Sequence, residues 1–391
     1  MNITRTLEKS VREWLDSPVR ILILYGPRQA GKTTLIQTVL SGYAGKIVRL
    51  NADEYPVRDA LSQGDLAKLS ALVQGRDLLF IDEAQRVPDI GLNLKILHDG
   101  IPNLRIIATG SSSFELAQKT GEPLTGRTRS MTLLPLGVAE GAATLTPFEL
   151  SRKREEFMIY GMYPGLIEFS DPAEKAEVLA ELANNYLYKD ILSSGGIRNE
   201  KKIRDLVRLL AFQTGNEVSF TELGTTLGMS KDTVIRYVDL LEKAFILFRS
   251  QGFSANLRNE IIRKDKIYFY DTGLRNAVID NFKPLAQRDD SGRLWENFLV
   301  AERRKHHLHT RARVDSRFWR THAGSEIDLI EESGGGITAW EIKSGHKSAR
   351  IPPAWAAAYP QASFHVINEG NWLPFLGVPP HNPEINRAAF P

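Results

Sequence analysis

The stretch "GPRQAGKTT", residues 26–34, follows the apolar run "ILILY" and precedes a helical pattern, "LIQTVL". Gly26, Gly31, Lys32 and Thr33 stand at the spacing G-x-x-x-x-G-K-[ST], between a strand and a helix. In that context the loop curls its backbone N–H groups around phosphate oxygens, Lys32 adds a point charge, and Thr33 offers a hydroxyl to Mg2+. Gly26, Pro27, Arg28, Gln29, Ala30, Gly31, Lys32, Thr33 and Thr34 are therefore the expected nucleotide-binding residues, with ATP and Mg2+ as cofactors. Such a loop needs a strand that ends at the ligand, which constrains the surrounding fold more than any other feature of the chain.

The neighbouring sequence agrees. "RILILYG", "KIVRLNA", "DLLFIDE" and "LRIIATG" alternate with helical lengths, which predicts a parallel sheet with crossover helices. "DLLFIDE" ends on Asp82, expected to orient the Mg2+ shell, and Glu83, expected to polarise an attacking water. Thr109 and Ser111 close the next strand, where either would contact the γ-phosphate or that water. "LTGRTRS" places Arg127 and Arg129 in a loop. An Arg127 lent by a neighbouring subunit would stabilise transition-state charge, so a homo-oligomer is expected, with a hexameric ring as one form.

A chain of 391 residues exceeds one typical core, so two or three domains are expected. There is no cysteine, which excludes disulfides and thiolate metal sites. The apolar runs are too short to span a bilayer, and "MNITRTLEKSVREWLDS" reads as an amphipathic helix rather than a targeting segment. A cytoplasmic protein with no membrane partner is the expectation. The net charge of +3 says little, but its distribution says more. Arg303, Arg304, Lys305, Arg311, Arg313, Arg317 and Arg320 face only Glu302 and Asp315 over residues 301–320, either a footprint for phosphate-rich partners or a solvated face.

From about 148 the pattern turns helical, and "SSGG" at 193–196 reads as a boundary. "SFTELGTTLGMSKDTVIRYVDLLEK" then gives a helix, a turn through Gly228, and a second helix capped by Ser230, a helix-turn-helix pattern. Lys231, Arg236 and Lys243 on the second helix would meet DNA phosphates without reading bases, helped by Arg258, Arg263, Lys264 and Lys266 in the following wing. Asp232 and Asp239, four residues before Arg236 and Lys243, are placed to neutralise them. Further on, "SEIDLIEESGGGITAWEIK" reads as a hairpin with Glu326 and Asp328 on one face of its first strand, and Glu341 and Lys343 on one face of its second. Asp328 and Glu341 would share a Mg2+ or Mn2+ ion and Lys343 would position a water, which is metal-assisted phosphodiester chemistry. The same charges also suit the wet face of an ordinary hairpin.

"GPRQAGKTTL", "FIDEAQ", "TGSSS", "LTGR", "LPL", "YGMYPG", "FYDTGL" and "LWENFLVAE" together resemble the bacterial and archaeal AAA-type ATPases that carry a C-terminal DUF4143 domain, over residues 20 to 345. The hairpin resembles the PD-(D/E)XK nuclease superfamily, which adds an acidic residue on a preceding helix; Glu296 fits that place, with Glu302 as the fallback. The resemblance implies an α/β chain with four parts. These are a P-loop NTPase (AAA-type) parallel-sheet core (1–147), a helical lid (148–200), a winged helix (201–272), and a PD-(D/E)XK nuclease-like α/β domain (273–391). With it comes an expected function: a DNA-associated ATPase that moves on or remodels duplex or branched DNA, with Lys231, Arg236, Arg303, Arg304 and Lys305 as DNA contacts. A metal-dependent nuclease regulated by ATP, using Glu296, Asp328, Glu341 and Lys343, is the first alternative. A nucleotide-dependent switch that binds DNA or protein is the second.

Overall fold

Apolar runs bounded by turn residues become the strands of the first sheet: β1 (Ile21–Tyr25), β2 (Ile47–Asn51), β3 (Leu78–Asp82), β4 (Arg105–Gly110) and β5 (Thr128–Thr132). This computed structural model describes residues 3–111, 124–185, 199–254, 265–321 and 323–379. The order is β2-β3-β4-β1-β5 and every pairing is parallel. β1, β3 and β4 lie inside the sheet and are buried almost throughout, as their near-continuous apolar composition requires. Thr128–Thr132 corrects the expected loop: Arg129 lies in β5, opposite Leu22, on an edge strand whose polar composition hides it from an apolar-run search.

Alternation along β1 feeds two cores. Leu22 and Leu24 pack with Leu7, Val11 and Trp14 from the helix Leu7–Leu15, whose i, i+4, i+7 spacing gives it one apolar face. Ile21 and Ile23 pack on the other side with Leu94 and Leu97 of the helix Ile90–Gly100. These elements form one compact unit, Thr4–Pro135 with Lys243–Phe245.

The other unit takes in Leu136–Glu242 and Ile246–Pro391, so the segments expected as lid, winged helix and nuclease-like domain share one body. The helices Phe220–Leu227 and Lys231–Lys243 are joined through Gly228, left-handed at φ 60°, and Ser230 Oγ accepts from the Thr233 N–H at 3.2 Å. Beside them lies an antiparallel sheet of order β6-β8-β7, from β6 (Glu217–Val218), β7 (Leu247–Ser250) and β8 (Asp265–Phe269). The long helix Ser291–Thr310 is followed by β9 (Asp315–Arg320), β10 (Glu326–Ser333), β11 (Gly336–Ile342) and β12 (Ser363–Ile367) in a mixed sheet of order β12-β11-β10-β9. Ser333 pairs with Gly336 across Gly334 and Gly335, both at positive φ, the two-residue turn that glycine makes available.

Two motifs of the resemblance meet in this unit. Asp271 of "FYDTGL" accepts from the Leu274 N–H at 3.0 Å, capping the helix Thr272–Val278, and from the Met162 N–H of "YGMYPG" at 2.8 Å. A Cβ on Gly161 would run into the Asp271 carboxylate, and one on Gly273 into the Tyr160 carbonyl. No helix among the described residues is long and apolar enough to cross a membrane. Arg258, Arg263, Lys264, the 193–196 boundary and most of the Pro-rich C-terminal stretch lie outside the described residues.

Candidate nucleotide site and the C-terminal carboxylate cluster

The loop between β1 and the helix Lys32–Leu40 holds Gly26, Gln29 and Gly31 at positive φ. A Cβ at Gly26 would collide with the Leu133 carbonyl oxygen, so glycine there is a matter of space as well as of dihedral angle. Leu35 N–H is the first to close back, onto Gly31 O at 2.9 Å; the N–H groups of Lys32, Thr33 and Thr34 are the helix's orphan donors at the bend. Lys32 is 5% exposed and donates to the carbonyls of Gly26 and Pro27 at 2.9 and 2.8 Å. Burial pushes its ammonium down to about 8, against the pull of Glu83 and Asp82. Arg5, which the sequence did not single out, braces the loop by donating to Ala30 O at 2.7 Å and to Leu134 O at 2.6 Å.

Asp82, at the end of β3, collects the neighbouring hydroxyls: Thr33 Oγ1 donates to it at 2.8 Å, and Thr109 Oγ1 from the end of β4 donates to its other oxygen. Glu83 follows in the left-handed region, φ 53°, which turns its side chain out of the strand. Gln85 Nε2 donates both to Glu83 Oε2 at 2.5 Å and to Ser111 Oγ at 3.0 Å. Gln85 is thus a site residue missed from the sequence; its place in "DEAQ", two residues after Glu83, was the available signal. A hydroxyl and a carboxylate already paired beside orphan N–H donors suit Mg2+ and a phosphate tail, so Thr33 and Asp82 fit the role expected of them.

Arg127 precedes β5, whose Thr128 pairs with Ile21 at the start of β1, whereas the loop follows Tyr25 at the other end. A five-residue strand spans about 16 Å, which puts Arg127 at the far end of the sheet from its own loop. There it donates to Asp99 at 3.0 and 3.2 Å, and hydrogen bonds from Arg127 and His98 hold the Asp99 carboxyl at about 2.

The basic segment is corrected most. Lys305 is 1% exposed and donates to Glu302 at 2.6 Å and Leu136 O at 3.2 Å. Arg303 grips Glu331 with two hydrogen bonds of 2.9 and 2.8 Å, and Arg304 lies over the Phe248 ring at 4.6 Å. These three were expected to contact DNA; they serve instead as internal partners, because the Ser291–Thr310 helix is packed on more than one face. Glu302, the fallback acid, bonds Val138 N–H and Lys305 and lies outside the cluster. On the Lys231–Lys243 helix, Lys231 and Arg236 are exposed and ion-pair with no described residue, while Asp239 pairs with Arg249 at 2.7 Å.

Glu296, Glu326, Asp328, Glu341 and Lys343 do come together, but around a residue expected on the wing. Lys266 of β8, 1% exposed, sends its ammonium to Glu326, to Glu296 at 3.2 Å and to within 3.9 Å of Asp328. Tyr268, on the same face, donates to Glu296 at 2.7 Å. Asp328 Oδ2 accepts from the Ile342 N–H at 2.8 Å, and Glu341 accepts from Lys343. Burial, with Glu296 and Glu341 close by, pushes the Asp328 carboxyl well up. Burial would lower Lys266, but the carboxylates of Glu296, Asp328 and Glu326 outweigh it and raise its pKa. Among the described residues no three His, Cys, Asp or Glu side chains are arranged to hold a metal ion. The Mg2+ or Mn2+ ion expected at Asp328 and Glu341 would stand beside the Lys266 ammonium, 3.9 Å from Asp328, while Glu341 Oε2 is buried without a hydrogen-bond partner.

Comparison with known proteins matches three successive segments of the chain. Residues 19–141 match the family model of the AAA domain, residues 151–285 that of a domain of unknown function, DUF8612, and residues 291–370 that of DUF4143, a second domain of unknown function. An uncharacterized protein of Methanocaldococcus jannaschii is 27% identical over 307 residues, covering 74% of this chain and 67% of that relative. One of Mycobacterium tuberculosis is 28% identical over 326 residues, covering 83% and 70%. Among solved structures, the Walker-type ATPase of Pyrococcus abyssi is 15% identical with a TM-score of 0.49, covering 70% of this chain and 94% of that one. By its domain content the chain is an AAA-type P-loop ATPase with a C-terminal DUF4143 domain.

Proposed function

We propose that the protein hydrolyses ATP at the Gly26–Thr34 loop and, as a homo-oligomer, uses the turnover to move on or remodel duplex or branched DNA. The observation that carries the reading is the pair of networks at the ends of β3 and β4: Thr33 and Thr109 on Asp82, and Glu83 joined to Ser111 through Gln85. Lys32 and the orphan N–H groups bind the phosphate tail. Thr33 and Asp82 would hold Mg2+, which when bound neutralises phosphate charge. Glu83 accepts the proton of the attacking water, and Gln85 keeps that carboxylate in register with Ser111, so a change at the phosphate end reaches the base.

Arg127 lies too far from its own loop to serve it, which favours its donation to a neighbouring copy in a ring. The exposed Lys231 and Arg236, on the second helix of a winged-helix reading of this region, supply charge for DNA phosphates without a base-reading set beside them. The nuclease alternative loses support from Lys266, whose ammonium pairs with Glu296 and Glu326 and stands 3.9 Å from Asp328, one of the two acids expected to hold the metal.

The test is an ATPase assay with linear, branched and single-stranded DNA. Lys32→Ala should abolish turnover, and Glu83→Gln should bind ATP and fail to hydrolyse it. Arg127→Ala should reduce turnover, with mixed wild-type and variant assemblies showing the loss in proportion. Lys231→Glu with Arg236→Glu should remove DNA stimulation and keep the basal rate. Turnover indifferent to every DNA would overturn the motor reading.

A further inference from the structure

We propose that Lys266 takes the place of the metal ion in the C-terminal carboxylate cluster, making it an ion-paired latch between β8 and β10 rather than a centre that cuts phosphodiesters. The acids alone resemble a metal site, but the cation supplied by the fold is an ammonium. Lys266 Nζ reaches Glu326, lies 3.2 Å from Glu296 and 3.9 Å from Asp328, so one side chain meets acids from two separate elements. Asp328 Oδ2 accepts from the Ile342 N–H and Glu341 Oε1 from Lys343, while Glu341 Oε2 is buried without a hydrogen-bond partner. A divalent ion binds carboxylate oxygens directly, at about 2.0–2.6 Å, and would have to share them with a buried positive charge.

Lys266 is held where it is. Its backbone pairs with Glu217 on β6 and with Ser250 on β7, so it sits on the central strand of its sheet. Its ammonium also lies over the Phe318 ring, 5.4 Å from the centroid. Withdrawing the side chain would mean opening that sheet. Tyr268 adds a second anchor from the same strand face by donating to Glu296. The cluster therefore ties the sheet beside the helix-turn-helix to β10 and to the Ser291–Thr310 helix through Glu326, Glu296 and Asp328, the last two members of the expected nuclease quartet. The inference stands whether or not DNA stimulates ATP turnover.

The test is Mn2+ titration of the full-length, nucleotide-free chain, read by electron paramagnetic resonance. Wild type and Asp328→Asn should bind Mn2+ alike up to about 1 mM, a range covering ordinary protein sites for divalent ions. Lys266→Gln should gain one site, at least about tenfold tighter than any in wild type, and Lys266→Gln/Asp328→Asn should lose it again. A wild-type site removed by Asp328→Asn overturns the proposal. So does a Lys266→Gln variant that is folded by circular dichroism and gains no site. Should Lys266→Gln fail to fold, the wild-type and Asp328→Asn titrations decide alone, because a metal bound there in wild type contradicts the ammonium's place.

Discussion

Replacing Asn297 tests how the long helix is held to β8, and through it the placement of Lys266 and Tyr268. β6 has only two residues, so the edge of β8 that it covers at Asp265 and Lys266 is open by Phe269. Asn297, fully buried on the Ser291–Thr310 helix, closes that gap as a neighbouring strand would. Its Nδ2 donates to Phe269 O at 2.8 Å, and its Oδ1 accepts from Phe269 N–H at 2.9 Å and from Thr214 Oγ1 at 2.5 Å. Asn297→Ala leaves both backbone groups of Phe269 buried without a partner, at about 1–3 kcal/mol each, so a loss of about 4 kcal/mol is expected. The Thr214 hydroxyl still has Ile267 O at 3.3 Å and adds little. Asn297→Leu restores volume but no pairing, and should do no better than alanine. Urea unfolding followed by tryptophan fluorescence reads this unit, since Trp295, Trp319, Trp340, Trp355 and Trp372 all belong to it. A midpoint within about 1 kcal/mol of wild type at unchanged slope, or a leucine variant near wild type, would refute the reasoning.

Further outcomes follow from the same geometry. Gly161→Ala and Gly273→Ala should each cost more than about 3 kcal/mol, seen as lost soluble yield and a lower melting temperature. Gly165→Ala, with nothing near its Cβ, is the control and should fold normally. Gln85→Leu should lower kcat by about tenfold or more while ATP affinity changes less than about threefold; an equal loss in affinity would remove Gln85 from the hydrolytic step. Burial alone would raise the Glu331 carboxyl, but hydrogen bonds from Arg303 and His307 carry it down from 4.5 to about 2. The unfolded chain therefore binds this proton first as pH falls, so the contribution is whole above about 4.5 and lost on the way down to about 2. Arg303→Met should flatten that limb of an acid-unfolding curve.

What could be read without coordinates was local. Short apolar runs punctuated by glycine and acid marked β1, β3 and β4, because a strand buried on both faces needs apolar side chains at every position. The G-x-x-x-x-G-K-T spacing located the phosphate loop, and Gly334-Gly335 marked the hairpin turn, because both depend on dihedral angles that only nearby residues determine. β5 escaped, since an edge strand with one partner tolerates "TRSMT". Charge misled for a related reason: Arg303, Lys305 and Lys266 carry the same charge whether they face water or a buried acid. Their partners Glu331, Glu302 and Glu326 were all visible in the chain, but nothing local tells which side of a helix or strand will be covered. That choice belongs to the tertiary structure, because desolvation is decided by what packs on top. The acids of "EIDLI" and "WEIK" are the same in either reading, and it is packing that sets an ammonium among them.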